Sequence, residues 1–192
     1  MFVNLITISK IALLVATAAG SFSAPTNYSK VAVDVQVVSQ DNAQVDVVTD
    51  SATEILWLAR ALYSETKNIE EMKTIGCVVK NRVAVDYRGT NYESVVRAPG
   101  QFSGLEPGDP QYYRNTHMTY KDNLSVWRSA LRVASEIYSG QYVCEIPSSI
   151  LHFYSPASVS HTPSWADGET PVLVLRDTET DDPNFVLFSN IK

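Results

Sequence analysis

The chain has 192 residues, of which 45% are hydrophobic and 19% are charged, and its formal net charge at pH 7 is −6. This length and composition are typical of one globular domain with its own hydrophobic core. The acidic charge disfavours a nucleic-acid-binding protein, because such proteins usually present a basic surface to the phosphate backbone.

The first 23 residues have the order of a secretory signal peptide. Lys10 is followed by an apolar run from Ile11 to Ala19, and small residues come next. We therefore predict that residues 1–23 direct secretion to the periplasm or cell envelope, with no stable membrane insertion after their removal. An uncleaved signal anchor is the alternative, although the run is shorter than the ~20 residues of a spanning helix.

Residues 24–50 are predicted to form a linker or a small β-hairpin. Valines alternate with polar residues over 31–37 and again at Val45 and Val47, on either side of a polar stretch. Period-two alternation is typical of a strand, and the polar stretch between the two runs is typical of a turn. The main domain is then predicted over residues 51–192.

The domain opens with three predicted helices, whose apolar residues recur every three to four positions. The first begins at Ser51, with Glu54 three residues later, as in a capping box. The second begins at Asn68. The third begins near residues 122–123 and ends at Gly140.

Short strand-like runs dominate the rest of the chain. They cover residues 150–154, 172–175 and 185–188, with prolines between them. The sequence therefore predicts an α+β fold, with helices first and a small β-hairpin region towards the C-terminus. Residues 87–121 are rich in Gly, Pro, Asn and Tyr and are predicted to form long loops, which often carry function.

Glu65 is the most informative polar residue, because it continues the apolar stripe of the first helix. Its carboxyl group is expected to face the core, where loss of hydration raises the pKa of a carboxylic acid. An acid that stays protonated near neutral pH can protonate a glycosidic oxygen. Helical spacing alone leaves a second interpretation open, in which Glu65 ends the helix on a solvated face beside a lysine.

Two further clusters have side chains that suit a sugar ligand. Gln101–Ser103 offers an amide and a hydroxyl for sugar hydroxyl or N-acetyl groups, and alternatively forms a turn with one buried Phe. Aromatic residues in 151–156 and 163–166 suit sugar faces, and alternatively build the core.

The two cysteines, Cys77 and Cys144, form either a disulfide or two buried thiols. The three histidines lack the spacing of metal ligands, and no nucleotide-binding or nucleophile-elbow motif occurs. The sequence therefore predicts no cofactor and no metal.

Five stretches resemble, in order and rough spacing, the SleB-like cell wall hydrolases, the family of the spore-cortex-lytic enzymes. They are Leu58–Glu65, Gly76–Val83, Gln101–Ser103, Leu151–Pro156 and Pro163–Ala166. The resemblance extends from Glu54 to Asn190. It implies a lysozyme-like fold and cleavage of peptidoglycan between N-acetylmuramic acid and N-acetylglucosamine.

The resemblance also assigns roles to residues. Glu65 matches the family's catalytic glutamate, Gln101 and Ser103 match the substrate-cleft motif, and Tyr154 matches the aromatic residue that lines the site. The other predicted substrate-binding residues lie in the same motifs: Tyr63, Phe102, His152 and Trp165. One departure is the segment after the acid, where relatives commonly have Ala-Arg-Gly and this chain has Thr66–Asn68.

No second carboxylate has a spacing that pairs it with Glu65, although the carboxylates at 86, 93, 106 and 109 could approach it from loops. A single acid favours a lytic transglycosylase. The alternatives are muramidase-type hydrolysis, as in a phage lysin, and a non-catalytic wall-binding or virion-structural protein that kept the fold.

Overall fold

The computed structural model describes residues 42–189, with side chains from Asp50 onward. The helices are α1 Asn42–Glu65, α2 Ile69–Ala84, α3 Tyr92–Val96, α4 Tyr112–His117 and α5 Ser125–Tyr138, with 3-10 turns at Ser103–Leu105 and Pro156–Ser158. The strands are β1 Ile150–Tyr154, β2 Leu173–Arg176 and β3 Pro183–Ser189. The predicted α+β fold with helices first is confirmed, and it is consistent with a lysozyme-like domain.

Helix α1 begins at Asn42, well before the predicted start at Ser51. Of the two alternatives predicted for residues 24–50, a linker or a small β-hairpin, the hairpin is therefore wrong over residues 42–50. Apolar residues there also recur at helical spacing and extend the stripe of α1 towards its N-terminus: Val45, Val48, Ala52 and Ile55. The signal-peptide prediction and the rest of the linker prediction lie outside the described residues.

The predicted capping box is also wrong, because Ser51 and Glu54 lie inside α1 and bond to other elements. The Glu54 carboxylate accepts the backbone N–H groups of Tyr92 at 2.5 Å and Glu93 at 3.3 Å, so it caps the start of α3 instead. The Ser51 hydroxyl accepts a hydrogen bond from Tyr138 of α5 at 3.0 Å. Both side chains thus join α1 to its neighbours.

Helices α2 and α5 follow the sequence predictions. The Asn68 side chain accepts the backbone N–H groups of Glu70 and Glu71, as expected of the residue that caps α2. Helix α5 starts at Ser125 and is followed by Gly140, whose φ of 76° suits glycine.

The main core lies between α1, α2 and α5. A Cβ atom at Gly76 of α2 would lie 2.3 Å from the end of the Ile137 side chain of α5, so a larger residue here would displace that buried side chain. Trp127 is fully buried, and its indole N–H donates to the Thr119 carbonyl at 2.7 Å. The other large side chains here that are fully buried include Leu58, Leu62, Met72, Ile75 and Val79.

The three strands form an antiparallel sheet in the order β1-β3-β2. Each lies within two residues of its predicted bounds. On one face, Phe153 and Leu187 pair across β1 and β3 and pack on the main core. On the other face, Tyr154 pairs with Val186 and joins a second, smaller cluster with Ala166.

Cys77 of α2 forms a disulfide with Cys144, which follows α5. The sequence left open either a disulfide or two buried thiols, and the structure contains the disulfide. Among the helices of residues 42–189, none combines the length and the apolar character that crossing a membrane requires.

Candidate active site

Glu65 is the last residue of α1 and continues the stripe of the fully buried Leu58 and Leu62. Its side chain is half-buried, yet enough protein surrounds the carboxyl group for lost hydration to dominate its acidity. Desolvation raises the pKa of Glu65 to about 7, and the positive charge of Arg82 partly opposes this rise. The neighbouring Lys67 donates to the Tyr63 carbonyl instead of pairing with the acid.

The chain after Glu65 is fixed by a network around Glu71. The Thr66 hydroxyl donates to one oxygen of the Glu71 carboxylate, and Asn184 donates to the other at 2.8 Å. The backbone N–H of Asn68 donates to the Thr66 hydroxyl oxygen at 3.0 Å. Because Thr66 and Glu71 are both buried, this network ties the end of α1 to α2 and β3 and holds Glu65 in place.

Arg82 brings a buried positive charge from α2, with 3% of its surface exposed. Its Nε donates to the Leu151 carbonyl at 2.7 Å, where β1 departs from regular pairing. The guanidinium carbon lies 5.6–5.9 Å from the ring centres of Tyr87, Phe102 and Phe153. Burial lowers the pKa of Arg82 to about 10, so it stays charged at neutral pH.

Four carboxylates were possible partners for Glu65, and each of them either forms contacts with other residues or lies in a turn. Glu93 forms an ion pair along α3, while Glu106 and Asp109 accept backbone N–H groups of their own loop. Asp86 lies in the turn after α2 with a φ of 56°. Burial raises the pKa of Glu65 and the charge of Arg82 opposes the rise, and no carboxylate of the described residues contributes to the shift.

Two predicted substrate-binding residues, Tyr63 and Phe102, have buried side chains. Tyr63 is 3% exposed, its ring packs edge-on against Trp127, and its hydroxyl accepts a hydrogen bond from Arg114. Phe102 is 1% exposed and packs against Phe153. These two rings therefore support their neighbours from inside the core.

The loop that carries Gln101 and Ser103 lies against the end of α1. A Cβ atom on Gly104 would come within 3.0 Å of the Cβ of Ser64, the residue before the candidate acid. The Asn115 amide donates to the Gly104 carbonyl at 2.9 Å and holds this approach. Gln101 is half-buried and Ser103 is exposed, so both polar side chains lie beside the acid's helix end and remain accessible.

His152, Tyr154 and Trp165 gather on the sheet face that points away from the main core. The His152 ring is hydrogen-bonded to the Tyr87 hydroxyl at 2.8 Å and packs against Trp165. Tyr154 packs against Trp165 and stacks on Phe188. Tyr154 and Trp165 pack against the smaller cluster of Ala166, Val186 and Phe188, and all three predicted residues are half-buried.

Arg82 is the site residue to which the sequence patterns assigned no role. A signal was present, because Ile75, Val79 and Arg82 follow one another at helical spacing on the buried face of α2. A charged residue on such a stripe is unusual and marks a buried charge, as Glu65 does on α1. The Thr66–Glu71–Asn184 network had no comparable signal, since its members meet only in the fold.

The profile of the cell wall hydrolase family matches residues 66–177, which is more than half of the chain. The chain therefore belongs to the cell wall hydrolase family, and the SleB-like type predicted from its motifs is confirmed. The matched segment starts one residue after Glu65 and includes Arg82 and the Gln101–Ser103 loop. Comparison with curated proteins and with solved structures found no match.

Proposed function

We propose that this cell wall hydrolase cleaves peptidoglycan between N-acetylmuramic acid and N-acetylglucosamine, with Glu65 as the proton donor. The observation that carries the proposal is the desolvated carboxyl group at the end of α1, whose pKa is raised to about 7. Such a group is substantially protonated near neutral pH and can protonate the glycosidic oxygen as the bond breaks.

We further propose that the reaction is that of a lytic transglycosylase. Glu65 gives its proton to the leaving oxygen, and the resulting carboxylate then accepts the proton of the C6 hydroxyl of the muramic acid. That hydroxyl oxygen attacks C1 and closes a 1,6-anhydro ring, so no water is consumed. The proposal is supported by the engagement of Glu93, Glu106 and Asp109 elsewhere, since hydrolysis needs a second base or nucleophile.

Mass spectrometry of the muropeptides released from purified sacculi tests the reaction type. Products with 1,6-anhydromuramic ends are expected. Products with reducing muramic ends and no anhydro form would contradict the transglycosylase and leave muramidase-type hydrolysis.

The substrate is proposed to bind along the loop and aromatic cluster that flank Glu65. Gln101 and Ser103 supply polar contacts, and His152, Tyr154 and Trp165 supply ring edges, all half-buried or exposed. Ser103→Ala and Trp165→Ala are expected to raise KM for sacculi more than they lower kcat. Unchanged KM in both variants would contradict this placement.

Secretion is the remaining part of the proposal. Residues 1–23 act as a signal peptide, and the Cys77–Cys144 disulfide supports an oxidising destination. Mass spectrometry of the exported protein should give a mature chain that begins near residue 24. A full-length chain held in the membrane fraction would indicate a signal anchor instead.

A non-catalytic wall-binding or virion-structural protein is the rival of another class. The desolvated acid disfavours it, because a carboxyl group with a pKa near 7 costs stability at neutral pH. Sacculi that bind the wild-type protein without loss of turbidity would support the rival.

A further inference from the structure

The guanidinium group of Arg82 has a buried nitrogen that the described part of the protein leaves without a hydrogen-bond partner. Its Nε is bonded to the Leu151 carbonyl at 2.7 Å, while its buried Nη1 atom has no hydrogen-bond partner in the described part of the chain. An unpartnered buried donor of a charged group is costly, and proteins rarely retain one without a use. The side chain is 3% exposed, so bulk water does not satisfy this atom.

Aromatic rings hold the guanidinium from its other sides. Tyr87, Phe102 and Phe153 surround it at 5.6–5.9 Å, and ring faces attract a cation without requiring a particular N–H direction. Asn81, the preceding residue of α2, donates to the Pro147 and Ile150 carbonyls and ties the helix to the start of β1. The charge is therefore fixed in position while Nη1 stays free.

Glu65 is the carboxylate whose charge acts on Arg82, and the two side chains of the described structure do not form an ion pair before reaction. Tyr87, Arg88 and Glu65 act on its ionisation, and Glu65 is the carboxylate among them. His152, which bonds to Tyr87, has a lowered pKa, chiefly through burial and also through Arg82 and Arg88, and so is neutral at neutral pH. Glu71 lies on the same helix as Arg82, and its carboxylate is taken by Thr66 and Asn184.

We propose that Arg82 is a positioning residue that receives Glu65 in its ionised state through the free Nη1. Before reaction, Glu65 is protonated and Arg82 is held by the rings and the Leu151 carbonyl. When the proton passes to the leaving oxygen, the negative charge remains on Glu65, and Nη1 donates to it. The carboxylate is thereby held in place to accept the next proton. This inference rests on the proposed role of Glu65.

The direct test is NMR titration of the intact, oxidised protein, because it requires no turnover. The ¹⁵N and ¹H shifts of the Arg82 side chain are expected to change with a midpoint near pH 7 in the wild type, the value to which the pKa of Glu65 is raised. In Glu65→Gln this transition near pH 7 is expected to disappear. An Arg82 transition that persists in Glu65→Gln would overturn the proposal.

A matched pair of variants, Arg82→Lys and Arg82→Gln, separates charge from packing. Both lose the Nε bond to Leu151, but the lysine keeps the positive charge. In Arg82→Gln the midpoint of the Glu65 carboxyl ¹³C titration, and with it the alkaline limb of activity, should rise by about 1 pH unit or more. Arg82→Lys should retain most of the wild-type midpoint.

Equal midpoints in the two variants, or no rise in Arg82→Gln, would overturn the inference. If either variant fails to fold, the comparison of the wild-type titration with the Glu65→Gln titration still tests the proposal. Failure of the proposed function has a different signature, since Glu65→Gln would then cleave sacculi at the wild-type rate whatever the titrations show.

Discussion

Burial disfavours the charged forms of both Glu65 and Arg82. Each charge partly offsets this cost for the other, because the two charges are opposite. Desolvation favours neutral Glu65, and Arg82 favours ionised Glu65. The balance leaves the pKa of Glu65 at about 7, so both protonation states are populated near neutral pH. A group that first donates and then accepts a proton needs this balance.

The pH dependence of cleavage follows from this balance. Glu65 must begin the reaction protonated, so kcat/KM on soluble glycan fragments is expected to fall above about pH 7, the pKa to which Glu65 is raised. Initial rates between about pH 5 and pH 9 measure this limb. A rate that is flat across this range would contradict the assignment of Glu65 as the acid.

The raised pKa of Glu65 should also make the stability of the folded protein depend on pH. Between pH 4.5 and about 7 the unfolded chain loses the Glu65 proton while the folded chain retains it, so stability falls as pH rises. The loss is at most about 3 kcal/mol and is complete above pH 7. Glu65→Gln lacks this loss, and urea unfolding should show its advantage over wild type growing from about pH 4 to about pH 8. A constant difference would contradict the raised pKa.

At the scale of secondary-structure elements, the junction of α1 and α2 determines where the acid lies. Thr66 accepts a hydrogen bond from the backbone of Asn68 and donates one to Glu71, and Glu71 reaches β3 through Asn184. Because Thr66 and Glu71 are buried, the position of Glu65 depends on all three elements.

Thr66→Val tests this junction. It leaves one oxygen of the Glu71 carboxylate and the Asn68 N–H without a partner, while Asn184 still donates to the other oxygen. The free energy of unfolding should therefore fall by about 1–3 kcal/mol, and kcat should fall as Glu65 shifts. Thr74→Val is the matched control, because the hydroxyl of this half-buried residue makes a solvent-exposed bond to a carbonyl of its own helix. Equal effects of the two substitutions on unfolding by urea and on kcat would show that the junction does not position the acid.

The elements themselves were largely predictable, because their apolar residues repeat at helical or strand spacing. Asn68 and Gly140 marked helix ends correctly, since capping and positive φ are local properties. The start of α1 was not predictable in the same way. Ser51 and Glu54 look like a local capping box, but their partners, Tyr138 and the α3 backbone, are distant in sequence.

The site was also predictable in part, where the apolar spacing of a helix is visible in the sequence. Glu65 lies on a visible apolar stripe, so its burial could be inferred. The sequence could not show that the rings of Tyr63 and Phe102 are buried, nor that the charge of Arg82 acts on Glu65, because these depend on the tertiary structure.

At the scale of the whole molecule, the disulfide ties the helical core to the segment that leads into β1. Cys77 and Cys144 are 67 residues apart, and the chain between them includes α3, α4 and α5. A cross-link that closes a loop this long restricts the unfolded chain strongly.

Reduction of the disulfide should therefore destabilise the protein by about 3–4 kcal/mol in urea unfolding. The Cys77→Ser/Cys144→Ser double variant should match the reduced wild type and should not respond to reductant. Two titratable thiols in the unreduced, denatured wild type would show that the pair is not formed.

The most direct test of the account compares muropeptide release from sacculi by wild type, Glu65→Gln and Glu70→Gln. Glu70 is an exposed carboxylate on α2 that pairs with Lys73, so its substitution controls for the loss of one negative charge. Wild type and Glu70→Gln are expected to release anhydromuropeptides at similar rates, whereas Glu65→Gln should be slower by about 100-fold or more while remaining folded. Release by Glu65→Gln at the wild-type rate would contradict the claim that Glu65 is the catalytic acid.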